Sequence, residues 1–136
     1  MKRIDDEELE DMLTELDPPY ESKQELQIGR LLDQYGIPFF YKQPMILYNR
    51  GRNEVYKPSF TLMSYVGLVI DFVPGSDSKE FLRREQLYRH NQVPAILIGP
   101  RSLAEPHWDR TLYHKLQQTY RQTLDPIRYT PAPVEK

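Results

Sequence analysis

The sequence predicts an α/β domain built around one small mixed β-sheet. Three observations lead to this prediction: an amphipathic helix before the strands, a β-hairpin of branched and aromatic residues, and a short apolar strand after a second helix. A hairpin supplies antiparallel strands, whereas two strands joined through a helix are usually parallel. Together they give a mixed sheet covered by helices, in the order helix, three strands, helix, strand and helix.

The first predicted helix covers residues 22–36. Ser22 and Glu25 have the spacing of a capping box, apolar residues then repeat at helical spacing, and Gly36 is a typical C-terminal stop. Glu25 lies one helical turn before Ile28 and therefore on the inward face, where a carboxylate is unexpected unless it is used. Glu25 is therefore either a capping residue, a site residue, or both.

Three strands are predicted after this helix. Residues 37–49 form a strand that is interrupted near Pro44, and strands at about 54–63 and 66–73 are joined by a tight turn at Tyr65. Their aromatic and branched residues favour extended structure.

The hairpin raises the question of Asp71, a lone carboxylate in an apolar strand. A turn about Tyr65 pairs Asp71 with Ser59, and alternation along the strand puts Val73 on the same face as Asp71. A buried carboxylate costs several kcal/mol unless a cation or several hydrogen bonds satisfy it. Asp71 therefore marks a candidate site.

Two helices enclose the last strand. A helix is predicted from about 78 to 90, an apolar strand at 93–99 that is typical of a strand buried on both faces, and a helix at about 106–121.

Charge and composition divide the chain into three predicted parts. Residues 1–19 form an acidic arm, residues 20–122 the domain, and residues 123–136 a proline-rich tail. Eight Asp and Glu face two Lys and Arg within residues 1–17, whereas the rest of the chain has sixteen Lys and Arg against twelve Asp and Glu. A mildly basic body is compatible with nucleic acid. The arm is either a solvated segment or a docking segment for a protein partner.

The composition also restricts the compartment. The chain has no cysteine, which excludes disulfides and thiolate metal sites and fits a reducing cytoplasm. No apolar run approaches the roughly 20 residues of a membrane span, and the amino terminus lacks the apolar region of a secretory signal. We expect a cytoplasmic protein with no membrane partner.

The order of elements resembles the restriction-endonuclease-like, or PD-(D/E)XK, nuclease superfamily. The segments that carry the resemblance are SKQELQIGRLLDQYGIPFFYKQP, YKPSFTL, VIDF and YRHNQVPAILI, and it covers roughly residues 20 to 120. It implies a three-layer core in the order αβββαβα. It also implies a helix glutamate, a "PD" aspartate and a (D/E)-X-K triplet around one or two Mg²⁺ ions.

The resemblance puts Glu25 at the helix glutamate, Ser59 at the aspartate, Asp71 at the acid of the triplet and Val73 at its lysine. Ser59 is neutral and Val73 cannot carry charge, so two of the four groups are missing. A missing carboxylate weakens Mg²⁺ binding, and a missing lysine removes stabilisation of the transition state. The expected function is a nuclease-like domain that does not cleave and that binds nucleic acid or a protein partner.

Two alternatives stay open. An active Mg²⁺-dependent endonuclease would use Glu25 and Asp71 as metal ligands and a lysine from another element. Lys57 is the first candidate for that lysine because it shares a face with Ser59; Lys42, Lys79 and Arg84 are others. Lys57 or Lys42 could instead simply pair with Asp71. The second alternative is a protein-interaction module with no nucleic-acid role.

The helix at 78–90 is a candidate nucleic-acid surface. Basic residues interleaved with aromatic ones can bind phosphates and stack on bases, although such a helix face is more often merely solvated. The candidate residues are Lys79, Arg83, Arg84 and Arg89.

Overall fold

The computed structural model describes residues 20–75 and 78–124. The chain divides into two compact units, Met1–Ile37 and Pro38–Lys136. The predicted acidic arm lies outside the described residues, as does the proline-rich tail beyond Leu124.

The first unit contains helix α1, Lys23–Gln34, as predicted from its capping box. The Ser22 hydroxyl accepts a hydrogen bond from the backbone N–H of Glu25 at 3.1 Å and donates one to Glu25 Oε1 at 3.2 Å. Gly36, just beyond the helix, has a φ of 67°, a left-handed conformation that glycine adopts without steric cost.

The second unit contains six strands and three helices within its described residues. The strands are β1 (Phe40–Tyr41), β2 (Met45–Asn49), β3 (Arg52–Tyr56), β4 (Phe60–Leu62), β5 (Leu68–Phe72) and β6 (Ala95–Ile98). The helices are α2 (Ser78–His90), α3 (Pro100–Leu103) and α4 (Trp108–Leu124), and a 3₁₀ turn covers Met63–Tyr65.

Four of the strands form a mixed sheet in the order β1-β4-β5-β6. The β1–β4 and β4–β5 pairs are antiparallel, whereas β5 and β6, which are joined through α2, are parallel. This confirms the predicted α/β class and its mixed sheet. Strand β5 is central and all five of its residues are buried.

Two predicted strands are each broken in two. The strand at 37–49 splits where Lys42 takes a left-handed φ of 53° just before Pro44, and the strand at 54–63 splits around Pro58. Proline lacks the N–H that a sheet ladder needs, so it is excluded from a continuous central strand.

The breaks release β2 and β3 from the sheet as a two-stranded ribbon, which the sequence did not predict. Their register runs from Met45 opposite Tyr56 to Asn49 opposite Arg52. Arg50 and Gly51 form the turn with φ values of 49° and 83°, the pair of positive values that a tight type I′ hairpin requires.

Side chains of β5 alternate between two buried faces. Val69, Asp71 and Val73 share one face, as alternation predicts, and Val69 and Val73 belong to an apolar cluster. The cluster also contains Leu47, Leu87, Tyr88 and Leu97. Because Leu47 belongs to β2 while Leu87 and Tyr88 belong to α2, the cluster joins the ribbon and the helix to the sheet.

Asn91, just after α2, ties the ribbon to this helix end. Its side-chain oxygen accepts from the backbone N–H of Tyr48 at 2.7 Å, and its Nδ2 donates to the carbonyl of Tyr48 at 2.9 Å. The same Nδ2 donates to the carbonyl of Leu87 at 2.9 Å. No helix in the described ranges is both long and apolar enough to cross a membrane.

Val66, between the 3₁₀ turn and β5, has a φ of 61° although it is β-branched, and the residue is 57% exposed. A left-handed backbone costs an ordinary L-residue about 1–2 kcal/mol, and asparagine tolerates it better. We therefore expect Val66→Asn to raise the free energy of unfolding by about 1 kcal/mol, measured by urea denaturation. Val66→Thr, which stays β-branched but becomes polar, is expected to change little; an equal gain in Val66→Thr would contradict the prediction.

Candidate functional site around Asp71

The Asp71 carboxylate is buried in the central strand, with 1% of the residue exposed, and both of its oxygens accept hydrogen bonds. Oδ1 accepts from the backbone N–H and from the hydroxyl of Ser59, each at 3.2 Å. Oδ2 accepts from the hydroxyls of Tyr88 at 2.8 Å and Tyr56 at 3.0 Å. Five donors in all reach Asp71, the fifth being Nη1 of Arg84 at 3.5 Å from Oδ2.

Ser59 faces Asp71 in the register that the sequence predicts. The β4–β5 ladder pairs Phe60 with Ile70 and Leu62 with Leu68, which brings Ser59 next to Asp71. The Ser59 hydroxyl accepts from the backbone N–H of Phe72 at 3.0 Å while it donates to Asp71. Ser59 therefore continues the strand pairing through its side chain and also satisfies the carboxylate.

Two tyrosines supply the shortest hydrogen bonds to Asp71, and neither was predicted from the sequence. Tyr56 ends β3 and Tyr88 lies in the last turn of α2, with their rings edge to face at 5.6 Å between centroids. Burial, reinforced by the negative charge of Asp71, raises the pKa of both hydroxyls well above the ordinary value of 10. Both hydroxyls therefore keep the proton that they donate.

Arg84 brings a positive charge to within 3.5 Å of Asp71. Its Nη1 also donates to the carbonyl of Phe72 at 3.2 Å, and its Nε donates to Glu80 Oε1 at 2.8 Å. The guanidinium lies 5.9 Å from the centroid of the Tyr56 ring. Arg84 thus links the buried carboxylate to an acid at the start of α2.

Of the four cations that the sequence offered near Asp71, Arg84 is the one that reaches it. Lys57 is exposed in the segment between β3 and β4, and the backbone N–H of Lys42 donates to the carbonyl of Ser59 at 3.1 Å. The sequence left a pairing of Asp71 with Lys57 or Lys42 open, and the cation found beside the carboxylate is Arg84. The reason is geometric: α2 crosses the Asp71 face of the sheet and brings Arg84 and Tyr88, one helical turn apart, to the carboxylate.

Val73 occupies the position that the resemblance assigns to a lysine. It is buried in the apolar cluster with Leu87 and Leu97. A charged amine at this position would be surrounded by apolar side chains.

Glu25 belongs to the first unit and Asp71 to the second, so each is described by its own contacts. Glu25 is buried, and its backbone and side chain bond with Ser22 in the capping arrangement. The convergence of Glu25 and Asp71 on one metal stays a prediction. Within residues 20–75 and 78–124, no group of three or more His, Asp or Glu side chains is placed to hold a metal ion.

Two of the four basic residues on α2 are engaged by Glu80. Arg83 donates to both of its oxygens, at 2.9 and 2.8 Å, and Arg84 donates at 2.8 Å. These hydrogen bonds lower the pKa of Glu80 to about 2. Lys79 and Arg89 are exposed. Binding of nucleic acid by these four residues stays a prediction.

No family model and no curated protein matches the chain. A solved structure with a similar fold is the catalytic domain of the homing endonuclease I-Bth0305I, with a TM-score of 0.50 at 14% sequence identity. The match covers 77% of this chain and 100% of that domain. The fold is nuclease-like. At this identity the likeness shows the fold alone, so membership of the PD-(D/E)XK superfamily stays a prediction.

The hydroxyl of Tyr88 is a direct test of the Asp71 network. We expect Tyr88→Phe to lower the free energy of unfolding by about 1.5–3 kcal/mol, because it removes a hydrogen bond to a buried charged group. The matched control is Tyr48→Phe, whose ring is exposed, with an expected change within about 0.5 kcal/mol. Chemical denaturation measures both; equal losses in the two variants would contradict the network.

Raised tyrosine pKa values also predict instability in alkali. Burial, followed by the charges of Asp33 and Glu25, raises the pKa of Tyr20 to about 12, and the pKa values of Tyr56 and Tyr88 are raised as well. Above pH 10 the unfolded chain releases these protons while the folded chain retains them, so stability falls as the pH rises.

We expect tyrosinate absorbance to show that three of the ten tyrosines ionise only as the circular dichroism of the fold is lost. Ionisation of all ten tyrosines in a chain with native circular dichroism would contradict this.

Proposed function

We propose that this chain is a nuclease-like domain that has lost phosphodiester hydrolysis at Asp71 and that binds nucleic acid. The fold likeness to an endonuclease catalytic domain supports the class of protein. The contacts of Asp71 support the loss of cleavage.

The observation that carries this proposal is the complete use of the Asp71 oxygens by protein donors. An ionised carboxylate has about four lone-pair positions, and here four N–H and O–H groups of Ser59, Tyr56 and Tyr88 fill them, with Arg84 beside them. Mg²⁺ needs near-octahedral oxygen ligands at about 2.0–2.1 Å and retains several waters. To bind Asp71 it would have to displace a buried hydroxyl and approach a guanidinium, so these residues do not fit the metal.

The surroundings of Val73 give independent support. A nuclease needs positive charge where negative charge develops on the phosphate. At the position that the resemblance assigns to this charge, Val73 packs with Leu87 and Leu97 instead. Hydrolysis at Asp71 would therefore lack the cation that the resemblance assigns to the position of Val73.

The positive charge of the chain outside residues 1–17 is compatible with binding of a polyanion. Outside residues 1–17, the chain has sixteen Lys and Arg against twelve Asp and Glu. Contacts between such residues and phosphates release counterions, so binding should weaken steeply as salt rises.

The test combines calorimetry, cleavage and binding assays on the full chain. We expect no Mn²⁺ binding at millimolar concentration, no nicking of plasmid DNA with Mg²⁺ or Mn²⁺, and salt-dependent retardation of DNA in gels. Metal-dependent nicking that disappears in a folded Asp71→Asn variant would overturn the loss of cleavage. A chain that binds no DNA or RNA even at low salt would overturn the binding role and favour a protein partner.

A further inference from the structure

We infer that the β2–β3 ribbon is the DNA-contacting element of this domain, with duplex DNA as its ligand. The inference rests on the proposed function, since it names the substrate class and the contact surface of a nucleic-acid-binding domain. A two-stranded ribbon has the dimensions to enter the major groove of B-DNA, which is about 12 Å wide.

The outer face of the ribbon carries three exposed apolar side chains, with Asn53 beside them. Ile46 and Val55 lie directly opposite each other, 71% and 68% exposed, and Tyr48 on the same face is 55% exposed. The opposite face is different, because Leu47 is buried against the body of the domain. Three large exposed apolar side chains on one small face indicate a contact surface.

The tip of the ribbon makes this surface suited to a polyanion. Arg50 lies in the turn and Arg52 directly follows it; both are exposed, and neither side chain forms an ion pair or hydrogen bond within the described residues. The nearby acid, Glu54, shares the Leu47 face of the ribbon with Arg52, but the contact it makes is with Asn49, from which it accepts at 3.3 Å. Arginines without acidic partners favour phosphates and guanine edges over a protein surface of mixed charge.

The contrast with α2 strengthens the assignment. Arg83 and Arg84 are held by Glu80, and Arg84 also approaches Asp71, so binding a phosphate would require these pairs to loosen. Within residues 20–75 and 78–124, Arg50 and Arg52 have no ion pair to give up. The ribbon therefore offers cations that are ready for a ligand.

The base of the ribbon is fixed, which keeps the tip in a defined direction. Asn91 holds both backbone groups of Tyr48, Leu47 packs in the core, and Tyr56 donates to Asp71. A preorganised element loses less conformational entropy on binding than a flexible loop. Duplex DNA fits this rigid ribbon better than duplex RNA, whose major groove is too deep and narrow for a protein element.

The experiment measures fluorescence anisotropy of a labelled mixed-sequence DNA duplex with the full chain over a range of salt concentrations. The variant R50A/R52A is compared with R110A/R121A, which removes two exposed arginines from α4 and so matches the loss of charge. We expect R50A/R52A to weaken binding roughly tenfold or more and to reduce the slope of log K against log salt by about 2. The control R110A/R121A is expected to change the affinity and the slope by less.

Two further double variants separate the contribution of the apolar face to binding from the contribution of charge. I46S/V55S is expected to weaken duplex binding with the salt slope unchanged, and R50K/R52K to retain the slope. Thermal unfolding of each variant checks that the fold is intact.

The outcomes distinguish a failure of the ribbon assignment from a failure of the proposed function. A wild-type chain that binds no nucleic acid would overturn the proposed function and this inference with it. If wild type binds but R50A/R52A behaves like R110A/R121A, the ribbon assignment fails while the proposed function stands. If the ribbon variants lose binding to single strands or to duplex RNA but not to duplex DNA, the assignment of duplex DNA fails.

Discussion

The arrangement of the second unit depends on satisfying one buried carboxylate. Asp71 is fixed in the central strand by its place in the ladder, so water cannot solvate it and the protein must supply the donors. Those donors come from three places that are distant in sequence: the end of β3, the residue before β4, and α2. Leaving a buried charge without its partners costs about 3–5 kcal/mol, a large share of the stability of an ordinary domain.

A divalent cation and a set of protein donors are alternative ways to stabilise the same carboxylate. The cation gives strong electrostatic compensation but needs further ligands and waters. The protein donors give four hydrogen bonds and a nearby guanidinium, and they also join the ribbon, β4 and α2 to the central strand. In a fold similar to that of an endonuclease catalytic domain, stabilisation by protein donors gives Asp71 a structural role.

Short-range sequence patterns predicted two parts of this structure: the strand register at Asp71 and the N-terminal cap of α1. The register of Ser59 against Asp71 follows from one turn and the alternation of a strand, and the cap at Ser22 from a spacing of three residues. Tyr56 and Tyr88 could not be found in this way, because their hydroxyls meet Asp71 only after the ribbon and α2 have packed on the sheet. A signal was present in the spacing of Arg84 and Tyr88, which places both on one helix face. The ribbon was missed because Pro58 lies within a continuous run of strand-forming residues, and only its missing N–H divides that run.

Tyr56 connects the two features on which the proposed function rests, the Asp71 carboxylate and the ribbon. It is the last residue of β3, opposite Met45 at the base of the ribbon, and its hydroxyl is bonded to Asp71. The interaction that satisfies the carboxylate therefore also sets the direction in which the ribbon leaves the sheet. If a metal bound Asp71, the hydroxyl of Tyr56 would have to leave or share its oxygen, and the ribbon would lose one of its anchors. The ribbon proposed to bind DNA and the hydrogen bonds that satisfy Asp71 are thus parts of the same structural arrangement.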